Sequence, residues 1–153
     1  MAAKIAATAR RTGKKVVTTN GCFDIIHVGH VRNLEAARKL GDILILGVNS
    51  DRSVKKNKGD LRPIVPAHER AEVLAALMCV DYVFIFETKS PIPWIQKIRP
   101  SVHVKGKGSE CSPVFAPEKK AVEEGGGIMH LASQIKDRST TNIIETIVRR
   151  YKK

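Results

Sequence analysis

Apolar residues along this chain alternate between short runs that are typical of buried strands and longer segments with helical spacing. Strands are predicted at residues 16–19, 42–48, 82–86, 102–105 and 128–132. The run at 42–48 (D-I-L-I-L-G-V) is almost continuously apolar, as expected for a strand that is buried on both faces. Helices are predicted at residues 31–40, 67–80, 91–98 and 117–124. A last helix is predicted to begin at residues 139–141. It carries an apolar stripe of Ile143, Ile144, Ile147, Val148 and Tyr151.

This alternation predicts one α/β domain with a single Rossmann-like, doubly wound, parallel five-stranded sheet and helices on both faces. A chain of 153 residues has room for a single core. We expect the domain to span residues 15–153, behind a flexible basic segment at residues 1–14. Such sheets bind ligands at the carboxyl ends of their strands, so the residues that follow each strand are the first candidates for chemistry.

The segment that follows the first predicted strand concentrates the candidate groups. Residues 20–30 have the sequence N-G-C-F-D-I-I-H-V-G-H, and the next predicted helix follows directly. His27 and His30 flank Gly29 at this helix N-terminus, where free backbone N–H groups attract anions. Imidazoles donate hydrogen bonds to phosphate oxygens, and a glycine lets a phosphate approach the backbone closely. The alternatives are structural histidines or a zinc site, which has no evident third ligand nearby.

The pattern G-x-F-D-x-x-H-x-G-H at residues 21–30 resembles the signature of the H-x-G-H nucleotidyltransferase superfamily, which includes cytidylyltransferases. The similarity continues at residues 47–54, 58–59, 62–64, 69–70, 80–83, 104–106 and 139–144. Together these segments resemble the D-glycero-β-D-manno-heptose 1-phosphate adenylyltransferases over residues 16–148. The resemblance implies transfer of AMP from ATP, or of another nucleotidyl group, to the heptose phosphate, which gives pyrophosphate and the nucleotide-activated heptose of the lipopolysaccharide inner core. It also implies Mg²⁺ as a cofactor and a homodimer in the cytoplasm.

In the implied reaction, an acceptor phosphate oxygen attacks the α-phosphorus of the nucleotide in line, so positioning and charge stabilisation are the main requirements. The implied catalytic residues are His27, His30, Lys58 and Asp24. Asp24 is expected to hold Mg²⁺ or to orient a histidine, and capping of a turn is its alternative role. Lys58 stands beside Gly59 in a predicted loop that also carries Lys55 and Lys56 and closes over phosphates.

Further residues are candidates for binding the nucleotide and its phosphates: Asn20, Gly21, Phe23, Gly29, Lys55, Arg62, Arg70, Lys105, Gly106, Ser139, Thr140 and Thr141. The alternatives are a solvated loop for the lysines, a pair with helix neighbours for Arg70, and helix capping for the hydroxyls. Arg138 adds a cation before the last helix. After residues 105–106 the chain continues K-G-S rather than the G-D-Y usual in the heptose enzymes, so another phosphorylated sugar or alditol is the second choice of acceptor.

The net charge of +12 first suggests a nucleic-acid partner, but its distribution weakens that interpretation. Nine of these charges come from the two ends, residues 1–15 and 149–153, and three from residues 51–62. The ends are expected to be solvated, whereas the inner cluster predicts a local anionic ligand. A deletion of residues 1–12 is therefore expected to leave turnover unchanged.

Other classes of function find less support in the sequence. The longest apolar runs are too short to cross a membrane. The three scattered cysteines indicate a reducing cytoplasm rather than a disulfide framework. Two rivals to the heptose enzyme remain. One is a cytidylyltransferase that acts on glycerol 3-phosphate or another alditol phosphate, and the other is a basic nucleic-acid-binding module without catalysis.

Overall fold

A computed structural model describes residues 1–132 and 139–152. Its strands are β1 (Val16–Gly21), β2 (Ile43–Asn49), β3 (Tyr82–Phe86), β4 (Val102–Gly106) and β5 (Ile128–Ala132). Its helices are α1 (Ala2–Arg11), α2 (Val28–Arg38), α3 (Asp51–Lys58), α4 (Ala67–Ala75), α5 (Ile92–Ile98), α6 (Phe115–Glu124) and α7 (Thr140–Tyr151). A short 3-10 turn, Ser109–Cys111, follows β4.

The five strands form one sheet in the order β3-β2-β1-β4-β5, and every pair of neighbours is parallel. This order confirms the predicted Rossmann-like, doubly wound sheet. The chain leaves β1 toward β2 on one side and later returns to place β4 on the other side of β1. The carboxyl ends of β1 and β4 therefore border the crevice in which sheets of this kind bind ligands.

Side chains of the central strands point alternately to the two faces of the sheet, and a separate core covers each face. Leu44 and Leu46 of β2 pack with Leu34 of α2 and Leu74 of α4. Ile45, between them in sequence, packs on the opposite face with α5 and α6. The continuous apolar run of β2 is thus explained by burial on both faces, as predicted.

Helices α2 and α4 depart most from their predicted limits. Helix α2 begins at Val28 rather than at residue 31, so Gly29 and His30 lie within its first turn. Helix α4 ends at Ala75, although Leu77 and Cys79 beyond it still pack against the core. Periodicity extends past this helix end because a turn can also place apolar side chains on the core.

The N-terminal segment differs from its prediction as a flexible basic end. Residues 2–11 form helix α1, whose Ala6 and Ala9 are buried against the core that includes Ile95 and Ile98. The Arg10 guanidinium donates to the carbonyl oxygens of Ile98, at the end of α5, and of Arg99. The buried side of α1 consists largely of alanines, whose weak hydrophobic signal hides the helix from a periodicity argument.

Because α1 is packed on the core, a deletion of residues 1–12 is now expected to lower the stability of the protein. We expect the free energy of unfolding to fall by about 2–3 kcal/mol, because the deletion exposes the core beneath α1 and removes the Arg10 cap of α5. For a chain of this size the midpoint of thermal unfolding should fall by roughly 5–10 °C. A thermal melt of the truncated protein measures the change, and an unaltered melting temperature would contradict the packed helix.

The C-terminal helix α7 only partly buries its predicted apolar stripe. Ile143 and Ile144 are half-buried, whereas Val148 is 53% and Tyr151 81% exposed. Arg149 and Arg150, in its last turn, are exposed as expected for a solvated basic end, and Lys153 lies outside the described residues.

Candidate active site

A cavity of about 180 Å³ opens at the carboxyl ends of β1, β4 and β5, beside the crevice that the strand order creates. Its walls are Thr19, Asn20, Gly21, Cys22, Phe23, His30, Asn33, Leu34, Val104, Gly106 and Ala132. The polar contributions come mainly from the end of β1 and the start of α2, and Leu34, Val104 and Ala132 supply an apolar side. This mixture suits a flat, partly apolar group that carries a few hydrogen-bonding atoms.

The backbone between β1 and α2 is held in an unusual conformation. Phe23 has a φ of 48°, in the left-handed region that residues with side chains rarely adopt. Its buried ring meets the His30 ring edge-on, with 5.2 Å between the ring centroids. A Cβ atom on Gly21 would lie 3.0 Å from the Phe23 ring, so a larger residue would force the ring to shift by a few tenths of an ångström. Gly21 and Phe23 therefore shape the wall of the cavity.

The two histidines of the H-x-G-H motif lie together at the N-terminus of α2. His27 is the residue that precedes the helix, in an extended conformation, and His30 lies in the first turn. Their imidazole rings stack, with centroids 3.9 Å apart and planes inclined by 24°. Burial, with a smaller contribution from His27, lowers the pKa of His30 to about 4, so this ring is neutral at pH 7.

This arrangement is suited to binding an anion. The buried Nδ1 of His30 has no hydrogen-bond partner among the described residues. In the same part of the chain no side chain caps the N-terminus of α2, which leaves first-turn N–H groups available. Gly29 is buried within that turn and adds no side chain. Together these groups offer hydrogen-bond donors and the positive end of a helix dipole to one ligand.

The Asp24 carboxylate, predicted to hold Mg²⁺ or to orient a histidine, is held by groups of the 62–65 segment in this structure. This buried carboxylate accepts hydrogen bonds from the backbone N–H groups of Ile64 (2.8 Å) and Val65 (2.9 Å) and pairs with Arg62. Burial alone would raise the pKa of Asp24, but the two amides and the guanidinium outweigh it and hold this pKa below its usual value. The carboxylate anchors the 62–65 segment, which is the capping role that the sequence left open.

These contacts also bear on the predicted Mg²⁺ site. Three of the roughly four acceptor positions of a carboxylate are taken in Asp24. Among the described residues there is no group of three or more histidine, cysteine or acidic side chains that could hold a metal ion. The described residues therefore offer no metal site built from three or more protein ligands, and we derive no chemical step through a metal.

Arg62 and Arg70, both predicted to bind phosphate, have structural partners instead. Arg62 is committed to Asp24, and only 15% of its side chain is exposed. Arg70 is 1% exposed and donates to four groups. They are the carbonyl oxygens of Val65 (2.8 Å), Asn49 (2.9 Å) and Cys22, and the Asp51 carboxylate (2.7 Å). Arg70 thus ties α4 to the ends of β1 and β2, and it offers little to a ligand.

The lysines that follow β2 lie on a helix and not in the predicted loop. Ser50 caps α3 by accepting from the Ser53 N–H at 3.2 Å, and the basic last turn suits the negative end of the helix dipole. Lys58 is the last residue of α3, before Gly59 at a φ of 92°, and its side chain lines a second cavity at the sheet edge. Lys55 lines a separate groove, away from this edge.

Lys105 and Asn20 connect the two cavities. The Lys105 ammonium lies 2.7 Å from Oε2 of the buried Glu118 and donates to Oδ1 of Asn20 at 3.4 Å. Asn20 lines both cavities, while Gly106 lines the first of them. Glu118 and Lys89, which faces the second cavity from the segment after β3, were not predicted. Neither residue belongs to a recognisable motif, so only the folded chain reveals them.

The hydroxyl residues at the start of α7 mainly organise the beginning of the helix. Ser139 caps α7 by accepting from the Asn142 N–H at 3.1 Å, and the Thr140 hydroxyl donates to the Ile25 carbonyl oxygen at 3.4 Å. Thr141 is exposed. The Thr140 contact brings the start of α7 to the segment before the H-x-G-H motif. Arg138 lies outside the described residues.

Cys22 borders both cavities without being a nucleophile. Burial raises the pKa of its thiol, although the charges of Lys58, Arg70 and Arg62 act in the opposite direction. The thiol is therefore protonated at neutral pH, and no covalent intermediate is indicated there.

The chain is similar to proteins of one family along most of its length. The profile of the cytidylyltransferase-like family matches residues 18–146. The "Bifunctional protein HldE" of Syntrophotalea carbinolica is 50% identical over 142 residues, which are 93% of this chain and 29% of that protein. The protein of the same name from Geobacter sulfurreducens is 48% identical over 149 residues, 97% of this chain and 30% of the relative. The chain thus spans less than a third of the length of these relatives.

Solved structures share the fold. The crystal structure of the lipopolysaccharide core biosynthesis protein from Thermoplasma volcanium superposes with a TM-score of 0.66 at 25% identity, covering 82% of this chain and all of that one. Within the described residues, no helix has the length and apolar character that a membrane crossing requires.

Proposed function

The chain belongs to the cytidylyltransferase-like family, and from this premise we propose that it transfers the adenylyl group of ATP to D-glycero-β-D-manno-heptose 1-phosphate. The products are ADP-heptose and pyrophosphate. The observation that carries the proposal is the stacked His27–His30 pair at the N-terminus of α2, on the rim of a cavity at the sheet edge. The names of the curated relatives and of the solved lipopolysaccharide core biosynthesis protein support the sugar-phosphate pathway.

The proposed reaction requires that the protein hold the triphosphate and the acceptor phosphate in position, and it needs no nucleophile from the protein. An oxygen of the acceptor phosphate forms a bond to the α-phosphorus, and the bond from that phosphorus to the bridging oxygen breaks as pyrophosphate leaves in line. His27, His30 and the first-turn amides of α2 are placed to donate to the triphosphate as its charge shifts toward the leaving group. The Cys22 thiol, protonated at neutral pH, takes no part.

The nucleoside fits the first cavity in this proposal. The apolar wall of Leu34, Val104 and Ala132 packs against a base, and Gly21 and Gly106 leave backbone groups within reach of its edge. The homodimer and the cytoplasmic location implied by the resemblance stay predictions, which sedimentation velocity and cell fractionation would test.

The test is the release of pyrophosphate over a matrix of ATP, CTP, GTP and UTP against heptose 1-phosphate, mannose 1-phosphate and glycerol 3-phosphate. We expect ATP with heptose 1-phosphate to give the highest kcat/KM, by about tenfold or more over any other pair. Reactions without an acceptor serve as the control for NTP hydrolysis. Highest activity with CTP and glycerol 3-phosphate would favour the alditol cytidylyltransferase, and no release with any pair would overturn the proposed transfer.

A further inference from the structure

A second cavity, of about 330 Å³, adjoins the nucleotide cavity at the carboxyl edge of the sheet. The two cavities share the side chains of Asn20 and Cys22. Lys58, at the end of α3, and Lys89 line it from segments that follow β2 and β3, on one side of β1 in the sheet. Lys105 lines it from β4, on the other side of β1, together with Glu118 of α6. A ligand in this space would lie next to a nucleotide in the first cavity.

The cations of this cavity fall into two groups. Lys105 is neutralised by Glu118 at 2.7 Å. Lys58 and Lys89 are exposed, and neither has an ion-pair partner among the residues that the structure describes. The cavity therefore carries about two uncompensated positive charges, which match the charge of one phosphate monoester.

The β4 side of this cavity is built for hydroxyl groups. Glu118 is 2% exposed and is held in place by Lys105, whose side chain is only 14% exposed. A carboxylate has about four acceptor positions, so the ion pair leaves capacity for further hydrogen bonds. Asn20 and Asn49 add amide groups to the lining. Acceptors and amides facing a phosphate-binding pair fit a molecule with several hydroxyls and one phosphate.

We propose that the second cavity is the acceptor site and takes a phosphorylated sugar. Lys58 and Lys89 bind its phosphate, and Glu118 accepts hydrogen bonds from its ring hydroxyls. Lys105 is a positioning residue that holds the Glu118 carboxylate. The inference rests on the proposed function and deepens it, because it gives the acceptor a defined cavity and adds Lys89 and Glu118, which the sequence did not indicate. It also explains how the acceptor phosphate reaches a nucleotide beside the H-x-G-H motif.

The test separates acceptor binding from nucleotide binding with Lys89→Met and Glu118→Gln. For Lys89→Met we expect the KM for heptose 1-phosphate to rise about tenfold or more while the KM for ATP stays within twofold. Lys97→Met, on the exposed surface of α5, is the matched control and should leave both values unchanged. A rise in the KM for ATP alone would assign the cavity to the nucleotide phosphates and overturn the inference.

A binding measurement keeps the inference testable if turnover is absent. Calorimetric titration of the full chain with mannose 1-phosphate and with inorganic phosphate uses no chemical step. Lys89→Met should weaken both ligands, whereas Glu118→Gln should weaken mannose 1-phosphate about tenfold and leave inorganic phosphate unchanged. A thermal melt tests whether Glu118→Gln is folded. Because Lys89 is exposed, the Lys89→Met result can be interpreted even if Glu118→Gln does not fold. Equal binding of mannose 1-phosphate to all variants would overturn the acceptor site even if the wild-type enzyme is active.

Discussion

Replacement of either His27 or His30 by alanine should lower kcat about 10²–10³-fold without unfolding the protein. Both rings lie at the N-terminus of α2, stacked 3.9 Å apart, and His30 carries a buried Nδ1 that a ligand can satisfy. Donors of this kind contribute most where charge develops in the transition state, so their loss appears mainly in kcat. Initial rates of pyrophosphate release with ATP and heptose 1-phosphate measure the effect.

Two controls separate this effect from damage to the fold. His68→Ala removes an exposed imidazole on α4 and should leave kcat unchanged. Calorimetric titration with ATP should show that both site variants still bind the nucleotide. Full activity of both histidine variants would contradict the mechanism, whereas loss of activity together with a collapsed thermal transition would point to a structural role.

Arg70→Met should lower the free energy of unfolding by about 3–5 kcal/mol, the largest stability effect that we expect in this chain. The substitution leaves three carbonyl oxygens and the carboxylate of Asp51 without the donor that joins them. Arg70→Lys should recover only a small part of the loss, because one ammonium cannot reproduce the planar fork of a guanidinium. Urea unfolding followed by circular dichroism measures both changes.

The comparison with Arg52→Met distinguishes a structural Arg70 from a phosphate ligand. Arg52 lies exposed on α3, so its loss should change the unfolding free energy by less than about 0.5 kcal/mol. If Arg70→Met instead kept the stability of the wild type and raised the KM for ATP, Arg70 would bind phosphate as the sequence predicted. Its buried hydrogen bonds would then contribute little to stability.

Most of the fold could be predicted because its signal is local. Each buried strand is a short apolar run with little interruption, and β2 shows this most clearly, since it contacts a core on both faces. Helices α1 and α3 escaped prediction for a related reason. One presents mainly alanines to the core, and the other buries only Ser53 and Val54. A small buried face leaves a weak periodic pattern in the sequence.

The site was predictable only in part. The H-x-G-H motif lies within a few residues of chain, so its two histidines and the start of α2 could be placed together from the sequence. The charged residues depend on partners far along the chain. Asp24 meets residues 62–65, and Arg70 meets Cys22 and Asn49. A motif gives the residue type at such a position, but it does not show whether the charged side chain pairs with a ligand or with another group of the protein.

By itself, the sequence determined the five strands, most of the helices between them, the parallel sheet and the histidine pair at a helix N-terminus, because these follow from short-range periodicity and spacing. Only the tertiary structure decided which charges are free. It placed Arg70, Asp24 and Arg62 inside the protein, where burial requires that each charge be compensated by a partner. It left Lys58 and Lys89 exposed at a shared cavity, where their charges remain open to a ligand.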